Sequence, residues 1–179
     1  HQRRLEISWV VVSGPPQRRV EAQRAMTMLV RRAARGTLTC GDFQDGFFPA
    51  EYSAIKAFFE SLKRLPAPDL IFCHERNDRH QDHRIVNEMV WSTFRDHMVL
   101  EYEVPKWDGG LGDPNVYVPV SAAQMRAKLR TLMTAYRSQR HRDWFSQETF
   151  MALARLRGIE CRSRSGYAEA FHARKLRFA

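Results

Sequence analysis

The sequence predicts one α/β domain of three-layer, Rossmann-like architecture, in which helices cover both faces of a mostly parallel sheet. Short apolar runs alternate with amphipathic patterns of helical period along most of the chain, and this alternation is typical of β-α-β units. No internal repeat or low-complexity linker divides the 179 residues, and this length is sufficient for one hydrophobic core. We therefore expect a single domain over residues 1–179.

Five runs of apolar, β-branched or aromatic residues predict the strands. They cover residues 7–12, 37–40, 70–73, 98–104 and 115–119, and residues 168–178 are expected to form a last extended segment. The first run ends at the turn formers Ser13-Gly14-Pro15-Pro16, and the second leads into a Phe-rich loop at 41–49. The third run, Leu70-Ile71-Phe72-Cys73, is apolar throughout, which predicts a buried strand of a parallel sheet.

Five segments with apolar residues three or four positions apart predict the helices. Gly36 is expected to end the first helix, Pro66 lies beyond the second, Ser121 is expected to cap the fourth, and the fifth spans residues 146–158. The side chains expected to face the core are Ala22, Met26, Leu29 and Ala33, then Tyr52, Ile55, Phe59 and Leu62, then Ile85, Met89 and Val90, and finally Met125, Leu129, Leu132 and Tyr136.

The composition is that of an ordinary globular protein, with 44% hydrophobic and 27% charged residues. No apolar run reaches the length of a membrane span and no leader-like segment is recognised, so a transmembrane segment is not expected. The three cysteines, Cys40, Cys73 and Cys161, form no C-x-x-C pair. Buried free thiols in a reducing, cytoplasmic compartment are therefore expected.

The formal net charge of +9 is concentrated in the C-terminal third. Residues 124–179 carry 13 Lys and Arg against 4 Asp and Glu, whereas residues 1–123 carry 16 of each sign. Such a block could bind a phosphorylated substrate, an anionic lipid or nucleic acid, or it could form solvated helix faces. Nucleic acid is not expected, because no basic motif interleaved with aromatic residues is present.

The strongest functional signal is the segment His80-Gln81-Asp82-His83, which follows the third predicted strand and precedes a helix. Ligands of an open α/β sheet bind at the carboxyl ends of its strands. Two imidazoles three residues apart, around a carboxylate, can hold a metal ion and act on a substrate. A nearby helix N-terminus favours a neutral second imidazole, which is the form that binds metal. The sequence therefore predicts a metal-dependent site at this edge of the sheet.

The same segment, read as Arg79-His80-Gln81-Asp82-His83-Arg84, resembles the second signature motif of the PIG-L/LmbE-like zinc N-deacetylases. The resemblance covers essentially the whole chain. Its other matching segments are Trp9-Val10-Val11-Val12-Ser13, Phe43-Gln44-Asp45-Gly46-Phe47-Phe48, Glu101-Tyr102-Glu103-Val104-Pro105-Lys106 and Gly166-Tyr167-Ala168-Glu169-Ala170-Phe171. The resemblance implies a zinc-dependent hydrolase that removes an acetyl group from an N-acetylated sugar, such as an N-acetylglucosamine-type conjugate.

The first signature motif of that family has no counterpart in this sequence. It is an H-P/S-D-D-E-like motif on an opening strand, and it supplies one His and one Asp to the zinc and a second Asp as general base. The segment His1-Gln2-Arg3-Arg4-Leu5 resembles the end of the helix that follows that strand. We therefore expect the first β-α unit, with the remaining zinc ligands, upstream of His1, because a sheet without its first strand would expose a neighbouring edge and apolar face.

For the residues that are present, the resemblance implies that His83 is a zinc ligand and that His80 stabilises the tetrahedral intermediate and acts as an acid. Three protein ligands and an open water position are typical of a catalytic zinc site. Asp82 is expected to contribute to catalysis by orienting one imidazole, as carboxylates beside metal-bound histidines usually do. His74, directly after the third predicted strand, is expected to be structural and not a ligand.

Three further residues are candidates for substrate binding. Asp45 and Arg79 lie in loops at the functional edge, where they could contact sugar hydroxyls or a phosphate, and Glu169 lies in the last extended segment. Two other functions stay open, namely a catalytically inactive relative that binds a sugar or a partner protein, and an anion-binding module that uses the basic C-terminal third. The expected ligand of the enzyme is a small N-acetyl sugar conjugate, and assembly into a homo-oligomer is also left open.

Overall fold

Six strands and five α-helices follow one another through residues 5–30 and 34–176, which are the residues that the computed structural model describes. The mixed α/β class is therefore confirmed. None of the helices in these two ranges has both the length and the apolar content needed to cross a membrane. The elements in chain order are β1 (Leu5–Val11), α1 (Pro16–Leu29), β2 (Ala34–Cys40), α2 (Tyr52–Ser61), β3 (Leu70–His74), α3 (Gln81–Thr93), β4 (Met98–Tyr102), β5 (Val116–Pro119), α4 (Ala122–Ala135), α5 (Gln147–Glu160) and β6 (Ala168–His172).

The strands form two sheets. β1 and β2 pair in parallel, and the second sheet has the order β3-β4-β6-β5. Within it β3 and β4 are parallel, whereas β6 runs antiparallel to both of its neighbours. This sheet is thus mixed, although the sequence predicts a mostly parallel one. The reason is that two helices, α4 and α5, join β5 to β6, so the chain re-enters the sheet from the opposite end, whereas a single crossover helix would return it in parallel.

Helices cover both faces of the second sheet. α3 packs on the face that carries Cys73 and Glu101, because Asn87 contacts the Cys73 sulfur at 3.7 Å and Trp91 donates a hydrogen bond of 2.7 Å to Glu101. The next residue of β4, Tyr102, lines a small cavity beneath α5 on the opposite face. A continuous three-layer sheet stays a prediction, since no strand pairing joins the two sheets within the described ranges.

The first helix ends earlier than predicted, at Leu29, and Val30 already has an extended conformation. Gly36 does not end a helix but lies inside β2, where a Cβ atom would stand 2.9 Å from the Val30 side chain and 3.0 Å from the Met26 sulfur. Glycine is needed here because helix and strand approach closely. Leu29, predicted to face the core, is 48% exposed, and Ala33 lies outside the described residues.

The third strand is less buried than its apolar sequence predicts. Leu70 and Phe72 are 37% and 53% exposed, and Cys73 is the buried residue of the strand. Phe72 contacts Phe171 of β6, with ring centroids 5.3 Å apart, and the rest of its ring is open to solvent. Two other strands are shorter than predicted, since β4 ends at residue 102 and β6 at His172, and the predicted end at residue 178 lies outside the described residues.

Most of the predicted core and capping residues have the expected positions. Ser121 caps α4 through a complete capping box, and Ser146 caps α5. Tyr52 is exposed, and Tyr136 lies just beyond the end of α4. The predicted core residues that are buried are Ala22, Met26, Ile55, Phe59, Leu62, Ile85, Met89, Val90, Met125 and Leu129.

We expect Cys73 to react with iodoacetamide far more slowly than Cys40 and Cys161 in the folded protein. All three thiols are free, but Cys73 alone is buried, and burial together with the nearby Glu101 carboxylate raises the pKa of its thiol to about 12. Because the thiolate is the reactive form, a raised pKa and burial both slow alkylation of Cys73. Mass spectrometry of timed alkylation, with urea-unfolded protein as the control, measures the rates, and equal labelling of all three thiols in the folded protein would contradict the expectation.

Candidate active site

The histidine segment lies where the sequence places it, between the carboxyl end of β3 and the start of α3. His74 is the last residue of β3, residues 75–80 form the connecting loop, and α3 begins at Gln81. His80 is the N-cap of α3, and its Nδ1 accepts a hydrogen bond of 3.3 Å from the backbone N–H of Asp82. The short loop and the first turn of α3 therefore hold the two histidines at the carboxyl end of β3.

Three imidazoles stack against one another at this edge. The ring of His83 lies between those of His74, at 3.9 Å between centroids, and His80, at 4.7 Å. Burial, assisted by the neighbouring His83, lowers the pKa of His74 to about 3, so His74 is neutral near pH 7. His74 Nε2 lies 3.4 Å from the Tyr102 hydroxyl, and its buried Nδ1 has no hydrogen-bond partner among the described residues. His74 thus forms a neutral, largely apolar support for the His83 ring.

Asp78 is the residue that orients His83. Its buried carboxylate lies 2.9 Å from His83 Nδ1 and 2.8 Å from the Lys106 ammonium, and it accepts a 2.8 Å hydrogen bond from the backbone N–H of His80. Burial acts to raise the pKa of the Asp78 carboxyl, but the hydrogen bonds from His83 and Lys106 outweigh it and hold that pKa well below its usual range. An ionised Asp78 fixes the proton of neutral His83 on Nδ1, which leaves the Nε2 lone pair free.

The two signature histidines therefore have complementary hydrogen-bonding character. Because His80 Nδ1 is an acceptor, the proton of its neutral ring is on Nε2, which can donate. The neutral form of His83 has the opposite arrangement, because a carboxylate can only accept from Nδ1–H, and the lone pair is then on Nε2. Adjacent rings thus present one donor and one electron-pair ligand, which is the combination needed to polarise a carbonyl beside a metal ion.

Asp82 has a different position from the one expected. The sequence suggests that it orients an imidazole, but its buried carboxylate accepts hydrogen bonds from the backbone N–H groups of Gly46, at 2.6 Å, and Phe48, at 3.3 Å. The imidazole partner is Asp78, which lies on the strand side of His80 and so can reach the face of α3 that bears His83. Asp82 instead fixes the loop that contains Asp45 against the start of α3.

The structure brings two of the three candidate substrate-binding residues to the histidine segment. Asp45 is exposed in the turn that Asp82 anchors, and Arg79 is exposed beside His80. Glu169 forms an ion pair of 2.5 Å with Lys128 of α4, and none of its recorded contacts is to the histidine segment. Its side chain is therefore already engaged by a cation.

Lys106 and the carboxylate role of Asp78 are the features that sequence reasoning missed. Lys106 is separated from Asp78 by a whole helix and strand, so nothing in the local sequence indicates that the two meet. Asp78 carries a weak local signal, because a carboxylate five residues before a histidine can reach it across a helix N-terminus. That signal is shared with Asp82, which lies closer in sequence to both histidines.

Among the described residues, His83 meets the requirements of one zinc ligand. Zinc needs an unprotonated nitrogen or oxygen donor, and a zinc-bound histidine usually donates its other N–H to a carboxylate, as His83 does to Asp78. Across residues 5–30 and 34–176, no group of three His, Cys, Asp or Glu side chains is placed to hold a metal ion. The described part of the chain thus supplies one oriented ligand and not a complete set.

Comparison with known proteins identifies relatives in structure only, since no protein-family description and no curated protein matches the chain. The conserved protein TT1542 from Thermus thermophilus superimposes with a TM-score of 0.68 at 20% identity, over 97% of this chain and 83% of its own. The zinc-inhibited form of teicoplanin deacetylase Orf2 gives 0.66 at 14% identity, over 95% and 86%. The A40926 pseudoaglycone deacetylase Dbv21 gives 0.63 at 15% identity, over 98% and 86%. At such identities the likeness shows a common fold, one that this chain shares with two deacetylases.

Replacing Asp78 by Asn should release His83 from its fixed tautomer and destabilise the protein. The substitution leaves the buried Lys106 ammonium without its anionic partner, which should cost roughly 3 kcal/mol in the free energy of unfolding. Nitrogen-15 NMR of the imidazole rings should show His83 moving towards a mixture of tautomers, and urea unfolding should show the loss of stability. Asp108→Asn, the same change at an exposed acid in the loop after Lys106, is the control. Unchanged His83 nitrogen shifts in Asp78→Asn would show that another group orients the ring.

Proposed function

We propose that the protein is a zinc-dependent hydrolase that removes the acetyl group from an N-acetylated amino sugar. The observation that carries this proposal is the pair of adjacent imidazoles with complementary nitrogens, the free lone pair of His83 and the Nε2–H of His80, at the carboxyl end of β3. The fold shared with two deacetylases supports it, as does the resemblance of the histidine segment to the deacetylase signature.

The described residues match several requirements of amide hydrolysis. The reaction needs an activated water, a base for its proton, and a donor for the developing oxyanion. Zinc, when bound, supplies a water that ionises near pH 7. His83 would hold the metal through Nε2 while Asp78 keeps its proton on Nδ1. His80 would donate its Nε2–H to the substrate oxygen as that oxygen becomes negative, and the leaving amine would take the proton that the base removes from the water.

The general base and the other zinc ligands are proposed to come from a β-α unit that precedes β1. β1 pairs only with β2, and β3 only with β4, so each has an unpaired edge within the described ranges. Val12, directly after β1, and Cys73 of β3 pack in one core cluster, so the two sheets lie close together here. Phe72 of β3 is more than half exposed, so there is room beside this strand. A strand between β1 and β3 would pair both edges and end beside the histidines.

Asp45, Arg79 and Glu169 are proposed to bind the substrate, and they differ in how freely their side chains can reach it. Asp45 and Arg79 are exposed on either side of the histidine segment, and neither side chain forms an ion pair in the described residues, so both are available to sugar hydroxyls. Glu169 would first have to leave Lys128, so we give it less weight.

A catalytically inactive relative that binds a sugar is the second candidate, and the incomplete set of metal ligands in the described residues favours it. The anion-binding alternative is weakened because prominent cations of the basic C-terminal third pair with acids, as Arg157 does with Glu103 at 2.6 Å and Arg174 with Glu101 at 2.8 Å.

In protein that carries the upstream unit, His83→Ala should lower the zinc content steeply, because it removes a ligand. His80→Ala should leave zinc bound and lower kcat by about a hundredfold or more, because it removes the oxyanion donor. Zinc is measured by inductively coupled plasma mass spectrometry, which does not depend on activity. His141→Ala, at an exposed histidine, is the control for both quantities. Equal zinc in His83→Ala and the parent would remove His83 from the metal site.

Release of acetate from N-acetylglucosamine conjugates should require both the upstream unit and a metal. The 179 residues alone should give no release above background, because no residue described among them is placed to accept the proton of the water. The extended protein should release acetate, and a chelator should abolish the release until zinc is restored. Chelator-sensitive turnover by the 179 residues would show that the base lies within them. If the extended protein turns over no such sugar, the second candidate, a catalytically inactive relative that binds a sugar, is favoured.

A further inference from the structure

The histidine loop, residues 75–80 between β3 and α3, is held near its start by a buried carboxylate of the sheet. Glu101 of β4 is 1% exposed, and its Oε2 accepts a hydrogen bond of 3.1 Å from the backbone N–H of Arg76. Its Oε1 accepts a second hydrogen bond, of 2.7 Å, from the indole N–H of Trp91 in α3. A buried carboxylate with only neutral donors is costly, so its position depends on a cation as well.

That cation is the guanidinium of Arg174, which lies two residues beyond the end of β6. Its Nε lies 2.8 Å from Glu101 Oε1, and one of its terminal nitrogens donates a 2.7 Å hydrogen bond to the side-chain oxygen of Asn87. The guanidinium also lies over the Trp91 ring, at 4.6 Å from the centroid. The planar fork of one arginine therefore contacts a strand residue and two helix residues at once.

Asn87 carries a second contact from Arg174 to the histidine loop. Asn87 is 2% exposed, and its amide nitrogen donates a 2.7 Å hydrogen bond to the backbone carbonyl of His74. Two successive peptide groups, with the C=O of His74 and the N–H of Arg76, are thus fixed by side chains that contact Arg174. Asp78 follows Arg76 by two residues, so the path of the chain towards its carboxylate is set here.

The segment that carries Arg174 is itself attached to the sheet. The side chain of Asn115 forms two hydrogen bonds with the backbone of Ala173, of 2.8 Å to its N–H and 3.1 Å to its C=O. Asn115 directly precedes β5, the strand that pairs with β6. The Arg174 side chain is 31% exposed, so its place depends on these contacts and not on enclosure by the core.

We infer that Arg174 is a positioning residue for the histidine site. It contacts Glu101 and Asn87 and acts through them on the loop whose Asp78 carboxylate orients His83. The inference rests on the proposed function only where that function makes His83 a metal ligand, because the geometry of the loop can be measured without metal. The segment after the last strand thus contributes to the site although it carries none of the reacting groups.

Arg174→Met should loosen the histidine loop in the full-length, metal-free protein. The variant keeps an unbranched side chain but removes the charge and both polar contacts, so the N–H of Arg76 loses a fixed acceptor. Hydrogen exchange of that amide, followed by NMR, should accelerate about tenfold or more. The nitrogen-15 shifts of His83 should move towards a mixture of tautomers, because Asp78 is held less firmly. The Kd for zinc, measured by competition with a chelating dye, should rise about tenfold.

Three further variants separate positioning from general stability. Arg174→Lys keeps a cation beside Glu101 but not the planar fork, so it should fold and give effects between those of the parent and Arg174→Met. Lys175→Met changes the next residue, which lies over the same Trp91 ring at 5.9 Å, and should change neither loop signal. Leu129→Ala creates a cavity in the other core cluster, so it should lower the stability without affecting the loop. If Arg174→Met does not fold, Arg174→Lys takes its place in each comparison.

The outcomes distinguish this inference from the proposed function. Unchanged Arg76 exchange and unchanged His83 shifts in Arg174→Met would overturn the positioning role. The same changes in Leu129→Ala would also overturn it, because they would then report general instability. If the parent binds zinc and Arg174→Met binds it equally well, the positioning role is wrong and the proposed function stands. If the loop signals move as expected but the parent binds no zinc, Arg174 positions the loop and the zinc-dependent function is contradicted.

Discussion

The contact between Asp78, His83 and Lys106 sets the chemistry of the whole site. A buried carboxylate is costly unless it is well satisfied, and here an imidazole, an ammonium and a backbone N–H offset that cost together. The same contacts decide which nitrogen of His83 carries a proton. They also hold the segment after β4, through Lys106, against the loop that bears His80. The orientation of the His83 ring and the contact between these two loops thus depend on a single carboxylate.

This arrangement connects the site to both halves of the molecule. On one side, Asp82 fixes the loop that contains Asp45 to α3, and α3 packs on the core between β3 and α2. On the other side, Arg157 of α5 forms a bidentate pair with Glu103, at 2.6 and 2.9 Å, and so fixes the start of the loop that ends in contact with Arg79. The histidines therefore lie between two loops, each of which is attached to a different hydrophobic cluster. Such a site keeps its geometry because its supports are packed elements and not the loops alone.

Local patterns predicted the elements well and the contacts between distant segments poorly. The core face of α3, the Ser121 cap and the position of the histidine segment after β3 follow from periodicity and short-range chemistry, and the structure confirms them. The prediction that Gly36 ends a helix is wrong, because a glycine that ends a helix and one that allows a strand to approach a helix look alike in sequence. The exposure of Phe72 depends on what lies beside β3, and the pairing of Lys106 with Asp78 depends on how two loops meet. Neither quantity is encoded within a window of neighbouring residues.

The basic C-terminal third shows why a charge count is a weak guide to function. Counted along the sequence, Arg157 and Arg174 belong to an excess of positive charge that could attract an anion. In the folded chain each neutralises a glutamate side chain that is shielded from solvent, Arg157 that of Glu103 directly after β4 and Arg174 that of Glu101 within β4. The near-neutral first part of the chain thus supplies the shielded acids, and the basic C-terminal third supplies the cations that pair with them. Beside the histidines the charges that are fixed are those of Asp78 and Lys106, and neither lies in the basic third of the chain.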